Sequence, residues 1–334
     1  MKELNSPDKE KRYQACLALS GKEHPPAEDL PVVLALLKDP AENVRGSCGA
    51  AIGSYGAAAS EAIPILVSML HDPSSYARTT AAGSLRKISA KVPEDTLAVP
   101  ALIEAMKDED TNVRSSSAEA LRDMGDRAVP AIPALLLALK HHSGKDSRDG
   151  PQIVQALGAL VSKSPDIVPA LTRAVRAPAR GVQSEAIVAL GTSGRLARPA
   201  IAVLGQMIHD KDEGIRGSAV DALGKCCADS DEAVPFLIEA LNDRVNDVRK
   251  FAVLHLGEIG PKAKAAVPGL IPILSGKAIY LRQWAAEALG NIGPDAKAAL
   301  PRLHQMLNEK IVSKESEAGQ LAETVQTAIG KIEK

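Results

Sequence analysis

Aromatic side chains are almost missing from this 334-residue chain, which has one Trp, two Phe and four Tyr, 2% in all. With 45% of its residues apolar, the interior must be filled by Ala, Leu, Val and Ile, a composition that favours close-packed helices. Neither sign of charge dominates. Forty Lys and Arg stand against 41 Asp and Glu, net −1, so no global basic field points to nucleic acid or an anionic membrane. No unbroken apolar run approaches the ~20 residues of a membrane span. The opening "MKELNSPDKEKRYQACLALSG" lacks the apolar stretch of a secretory signal, so the chain is expected in the cytoplasm. Cysteine is scarce too: Cys16, Cys48, Cys226 and Cys227 lack the paired spacing of a zinc site, and so long a chain needs no disulfide frame. They are expected as free, mostly buried thiols.

Catalytic signatures are missing as well. There is no GxSxG, no Walker loop, no GxGxxG after a strand and no HExxH. The pairs His71-Asp72 and His209-Asp210 fall at the ends of repeated units, and Lys38, Lys107 or Asn242 stand in the histidine's place elsewhere. His141 and His142 form a lone adjacent pair, a poor metal site. The expectation is a protein without catalytic residues, metal or cofactor.

What the chain does have is repetition. "LGEIGPKAKAAVPGLIPIL" from Leu256 returns thirty-three residues later as "LGNIGPDAKAALPRLHQML" from Leu289, identical at twelve of nineteen positions. An arginine seven residues before a Leu or Ile marks the register: Arg12, Arg45, Arg78, Arg114, Arg216, Arg249 and Arg282, with Gly150 and Gln183 where the Arg is lost. The spacings are 33 residues, except for two of 36, and nine units result.

Each unit carries two helical patterns. The first opens at a proline, as Pro31, Pro64, Pro100, Pro133, Pro169, Pro235, Pro268 and Pro301 show, because the first helical turn leaves its N–H unbonded anyway. The second opens at signals such as "DPAENVR", with Asp39 as N-cap and Glu42 completing a capping box. It closes at a glycine, Gly56, Gly125, Gly194, Gly260 or Gly293, in a left-handed conformation. Small residues such as Ala285, Ala286, Ala288 and Gly290 in its middle let neighbouring helices approach closely.

"LRQWAAEALGNIG" from Leu281 resembles the HEAT-repeat family, and within it the bacterial phycobilisome-lyase type, whose usual wording is VRxxAAxALGxIG. The resemblance covers practically the whole chain. It implies an all-α fold, a right-handed superhelical solenoid of about nine helix pairs forming one domain over residues 1–334. Residues 1–22 would serve as an N-terminal half repeat and 311–334 as a capping helix. It also implies that Asp39, Asp72, Asp108, Asp210 and Asp243, each six residues before Arg45, Arg78, Arg114, Arg216 or Arg249, form with those arginines a buried structural ladder between repeats.

In such solenoids the second helices line the concave side. Their variable columns lie one, two, five and nine residues after the anchor, and the column at two is small or polar until Phe251 and Trp284. These two, with Leu254 and a rim of Lys250, Gln283 and Glu287, are the expected partner-binding patch. Burying one Trp removes roughly 150 to 250 Å² from water, a gross few kcal/mol at ~25 cal/mol/Å². The competing expectation is that both rings pack as core. The expected function is a monomeric, non-enzymatic scaffold holding a protein or peptide in its groove. A phycobilin-lyase subunit or other chromophore-handling protein is the alternative. DNA binding ranks last, because the variable columns hold only Lys87, Lys225 and Lys250 as cations.

Since each repeat couples only to its neighbours, and two repeats lack the anchor arginine, the segment from about Gly144 to Gln183 is expected to open at lower free energy than its flanks. Native-state hydrogen exchange measures this directly. Even protection across all nine repeats would contradict it.

Overall fold

Alternating helix signals give alternating helices. A computed structural model describes residues 2–142, 144, 147–309 and 315–334, with backbone only at 315–318. Among the described residues there are nineteen α-helices and no strands. In chain order these are α1 (Lys9–Ser20), α2 (Leu30–Leu36), α3 (Glu42–Ile52), α4 (Ile63–Met69), α5 (Ser75–Ser89), α6 (Ala98–Ala105), α7 (Thr111–Asp123), α8 (Ile132–His141), α9 (Gly150–Ala159) and α10 (Ile167–Ala174). They continue as α11 (Arg180–Thr192), α12 (Ile201–Met207), α13 (Glu213–Cys226), α14 (Val234–Ala240), α15 (Asn246–Ile259), α16 (Val267–Leu270), α17 (Ile279–Ile292), α18 (Leu300–Asn308) and α19 (Glu315–Ile332). Even-numbered helices are the first helices, proline-initiated except α12, and odd-numbered ones are the second helices. The fold is an all-α solenoid. Contacts divide the chain into two compact units, residues 1–170 with 176–185, and 171–175 with 186–334.

In the first unit α1 packs on α3, α3 on α5 and α5 on α7; in the second α13 packs on α15, α15 on α17 and α17 on α19. The chain therefore starts on a second helix, α1. The helix read as a cap takes the place of another: α19 buries Leu321, Val325, Ile329 and Ile332. The first residues of that expected cap, 311–314, lie outside the described residues.

The small-residue seams have a direct reading. A Cβ on Gly257 would stand 3.1 Å from the Ala288 Cα, and one on Gly290 2.8 Å from the Ala328 Cα, so the second helices meet almost backbone to backbone. The closing glycines are the five with positive φ, from 54° to 79°. At Gly56, Gly260 and Gly293 ψ lies between −130° and −144°, outside the expected left-handed helical region and in one that only glycine occupies readily. Gly56 also breaks residues 42–69, a stretch long and apolar enough to cross a membrane by composition (mean hydropathy 1.3), into the separate helices α3 and α4.

The arginine ladder binds consecutive repeats, with a partner other than the one six residues away. Arg45 donates through Nε and Nη2 to the Asp72 carboxylate (2.6 and 2.8 Å), and through Nη1 to the carbonyl of Asp39 (3.0 Å). Arg12–Asp39, Arg78–Asp108 and Arg216–Asp243 repeat the arrangement at separations of 27, 30 and 27 residues, and Arg114 holds Asp149, 35 residues on, through Nε while its Nη2 donates to the Thr111 hydroxyl. Asp243 therefore holds Arg216 and offers Arg249 only its carbonyl (2.9 Å), correcting the expectation that its carboxylate is Arg249's partner. Nor is Asp39 an N-cap. Its carboxylate accepts the N–H of Ala41 (2.8 Å), the residue that stands at the N-cap of α3, and Asp72, Asp108, Asp210 and Asp243 each bond the N–H two residues on in the same way.

Cys16 and Cys48 are joined in a disulfide between α1 and α3, where free thiols were expected. They lie 32 residues apart, one short of the repeat, which brings their Cα atoms to 4.9 Å on adjoining second helices. Cys226 and Cys227 are free and buried; burial first, then the neighbouring Cys227, pushes the Cys226 thiol up to about 12, and burial pushes Cys227 up to about 11.

Ladder and disulfide each set a measurable expectation. Asp243→Ala strands Arg216 and the Val245 N–H, so it is expected to cost about 2 to 4 kcal/mol of unfolding free energy, against under about 0.5 for the exposed Asp247→Ala. Three ladder carboxylates are held below their ordinary range: Asp243 by the Arg216 hydrogen bond against burial, and Asp39 and Asp72 by arginine and backbone N–H bonds that together outweigh burial, the largest single effect. A depressed carboxylate stabilises the fold fully above its unfolded pKa, and the urea midpoint is expected to hold above about pH 5 and fall below about pH 4. For the disulfide, alkylation of the denatured, unreduced protein is expected to modify two cysteines, and reduction to expose all four and cost about 3 to 4 kcal/mol.

Candidate functional site

Outward-facing columns of α15 and α17 build the site in the second unit. The two helices pack side by side, so residues at equivalent places in each stand next to one another. Phe251 and Trp284 occupy such places, and both are half-buried, neither core nor fully free. None of the chain's seven aromatic side chains is fully buried. The Phe251 ring lies beside Gly217 of α13, at a distance where a Cβ on that glycine would meet it in ordinary contact, 3.8 Å.

One cation ties the rings together. The Lys250 Nζ stands 4.9 Å from the Trp284 ring centroid and 5.9 Å from that of Phe251. Such contacts at partly exposed sites contribute on the order of 0.5 to 1 kcal/mol. Leu254, 39% exposed, sits one turn along from Phe251 on the same face of α15. Tyr280 meets Trp284 edge to face, with centroids 6.2 Å apart at 79°. Sequence reasoning passed over Tyr280, although its place four residues before Trp284 on one helix was the available signal.

Four of the six expected patch residues thus come together: Lys250, Phe251, Leu254 and Trp284. The other two turn toward α19. Gln283 donates to the Thr324 hydroxyl (3.3 Å), and Glu287 lines a cleft of about 240 Å³ with Glu323, Thr324 and Lys331. The surface left between them is apolar and aromatic with one ammonium at its centre. Chemically it can bury an apolar segment and, through Lys250 and the rims of two rings, accept a nearby negative group; it holds no arrangement for moving a proton or activating a nucleophile.

The other candidates do not converge on the patch. His209 faces Glu239 at 3.5 Å on the surface, and His142 stands 3.6 Å from Asp149, which already holds Arg114. Buried His255 is flanked by Glu258 (2.6 Å) and Asp221 (3.0 Å), and its ring fills the space left by Gly224. It acts as a packing element between α13 and α15.

Comparison with known proteins agrees with this architecture. A profile of HEAT repeats matches residues 1–86, 132–224, 193–250 and 234–319, and a single HEAT repeat matches residues 98–128. None of the curated proteins matches. Among solved structures, the crystal structure of an engineered protein from the Northeast Structural Genomics Consortium is similar over 100% of both chains, with a TM-score of 0.63 and 22% identity, a likeness of fold. HEAT-repeat matches over residues 1–86, 98–128 and 132–319, on a chain of alternating short first helices and longer second helices, mean that this chain belongs to the HEAT-repeat family.

Proposed function

We propose that the protein is a non-enzymatic scaffold that binds a protein partner on the second-helix face of α15 and α17, through Phe251, Trp284, Tyr280 and Leu254. One observation carries this reading: rings kept out of the core everywhere in the chain gather on adjoining helices, with both patch rings within 5.9 Å of the same ammonium. HEAT repeats commonly bind protein partners, which supports the same view. The bacterial phycobilisome-lyase type, and with it a chromophore-handling role, rests on the wording of the repeat alone, and no contact at the patch favours it or DNA.

An amphipathic or extended peptide with an apolar anchor and an acidic flank suits this surface. The anchor would cover the exposed edges of Trp284 and Phe251, and the acid would meet Lys250. Rigid rings lose little side-chain freedom on binding and contribute large area, which is why such residues dominate interface energetics.

Trp284 is the only tryptophan, so its fluorescence reports on the patch without a label. Peptides selected from a display library against the full chain are expected to shift that emission, and Trp284→Ala is expected to weaken them about 30-fold, ~2 kcal/mol. The urea midpoint of the same variant is expected to change little, by the equivalent of about 1 kcal/mol, whereas loss of a core Trp costs about 3 to 5. Peptides that bind the variant unchanged, or a core-sized fall in its stability, would displace the patch from this role.

A further inference from the structure

Arg249 is the exception among the anchor arginines. Arg12, Arg45, Arg78, Arg114 and Arg216 each hold an aspartate of the following repeat, and Arg282 holds Glu309, also 27 residues on. The residue 27 places after Arg249, and six before Arg282, is Gly276. Among the described residues Arg249 therefore has no carboxylate; it bonds the Asp243 carbonyl (2.9 Å) and the side chain of Asn246.

A cleft opens where the acid is missing. It measures about 750 Å³, within the range of small-molecule sites, and is lined by Arg249, Asn246 and Gly276 together with Leu241, Ile273 and Leu281. Lys277 stands exposed at its edge and adds a second positive charge. Neither Phe251 nor Trp284 lines it, so a ligand in this cleft is independent of the protein-binding patch.

Arg12, Arg45 and Arg216 show what a guanidinium in this column takes: a carboxylate gripped by Nε and Nη2 at 2.6 to 3.1 Å, with Nη1 on the carbonyl six residues back. In Arg249 the carbonyl bond is made and the fork has no acid of its own repeat array to hold. We propose that this cleft binds a small aliphatic monocarboxylate, the carboxylate replacing the missing ladder acid on Arg249 and the hydrocarbon chain lying along Leu241, Ile273 and Leu281. Charge-assisted, two-pronged hydrogen bonds fix such a ligand's head, and apolar walls hold its tail.

Titration of the full chain with octanoate, tracked by amide chemical shifts, tests this, with octanamide as the uncharged counterpart. Octanoate is expected to saturate below about 10 mM, and octanamide to bind at least about tenfold more weakly. Two variants locate the site. Arg249→Gln removes the fork, and Gly276→Asp supplies the ladder acid within the chain while leaving Arg249 in place; a Cβ at Gly276 comes no closer than 3.2 Å to the Ile273 carbonyl, a contact that a small shift relieves. Each is expected to weaken octanoate at least about tenfold. Should Arg249→Gln fail to fold, Gly276→Asp decides alone. No saturation by about 10 mM, equal binding of octanamide, or octanoate affinity unchanged in Gly276→Asp overturns the proposal.

Discussion

Where a repeat carries the anchor arginine with an acid to meet it, one guanidinium fixes how that repeat stacks on the next. The anchor arginine bonds the carbonyl that precedes its own helix and, with its other two nitrogens, the aspartate of the next repeat, whose carboxylate in turn receives the N–H two residues on. Two helix starts in consecutive repeats are thereby fixed by one planar group. A point charge such as lysine could not make the three bonds in this geometry. Each ladder aspartate is nearly buried, so a broken rung would leave a charge without water or partner, and the arrangement resists substitution one residue at a time.

Between rungs the stack is held by seams with almost no thickness. Gly257 against Ala288 and Gly290 against Ala328 bring backbones close enough that an added methyl group would meet a main-chain atom at 3.1 and 2.8 Å. Dispersion contacts over such flat surfaces are numerous and individually weak, and any larger residue would wedge the pair apart. Leu, Ile and Val fill the wider space between first and second helices, where side chains such as Leu66, Leu85, Leu102 and Leu121 are fully buried.

Much of this was legible in the sequence, because periodic structure writes periodic signals. The period, the prolines that open α2, α4, α8, α14, α16 and α18, the five closing glycines and the small-residue seams all stand where the repeat puts them. Columns, however, do not say which neighbour a side chain reaches. Asp243 sits six residues before Arg249 and 27 after Arg216, and only the stacking of helices selects the second. The same blindness hid the Cys16–Cys48 bond, since 32 residues in a 33-residue repeat means spatial contact, not distance. Of the proposed patch, Phe251 and Trp284 stood out as departures from their column, and Leu254 and Lys250 as their neighbours on the helix. Tyr280 carried a signal only in its place four residues before Trp284, and Gln283 and Glu287 face α19, which stands on that side in the manner of another repeat.

The thin seams explain the scarcity with which the chain opens. A seam as close as that between Gly257 and Ala288 leaves no room for a ring; where one does enter, as His255 does between α13 and α15, a glycine, Gly224, receives it, and none of the seven aromatics is fully buried. Stacking and recognition are consequently written in different alphabets. Ala, Gly and branched aliphatics spell the inner columns, while outer columns are free to vary without altering the repeat-to-repeat fit. A solenoid built this way can vary its outer surface and keep its frame, because the seams are fixed by backbone contact at inner positions.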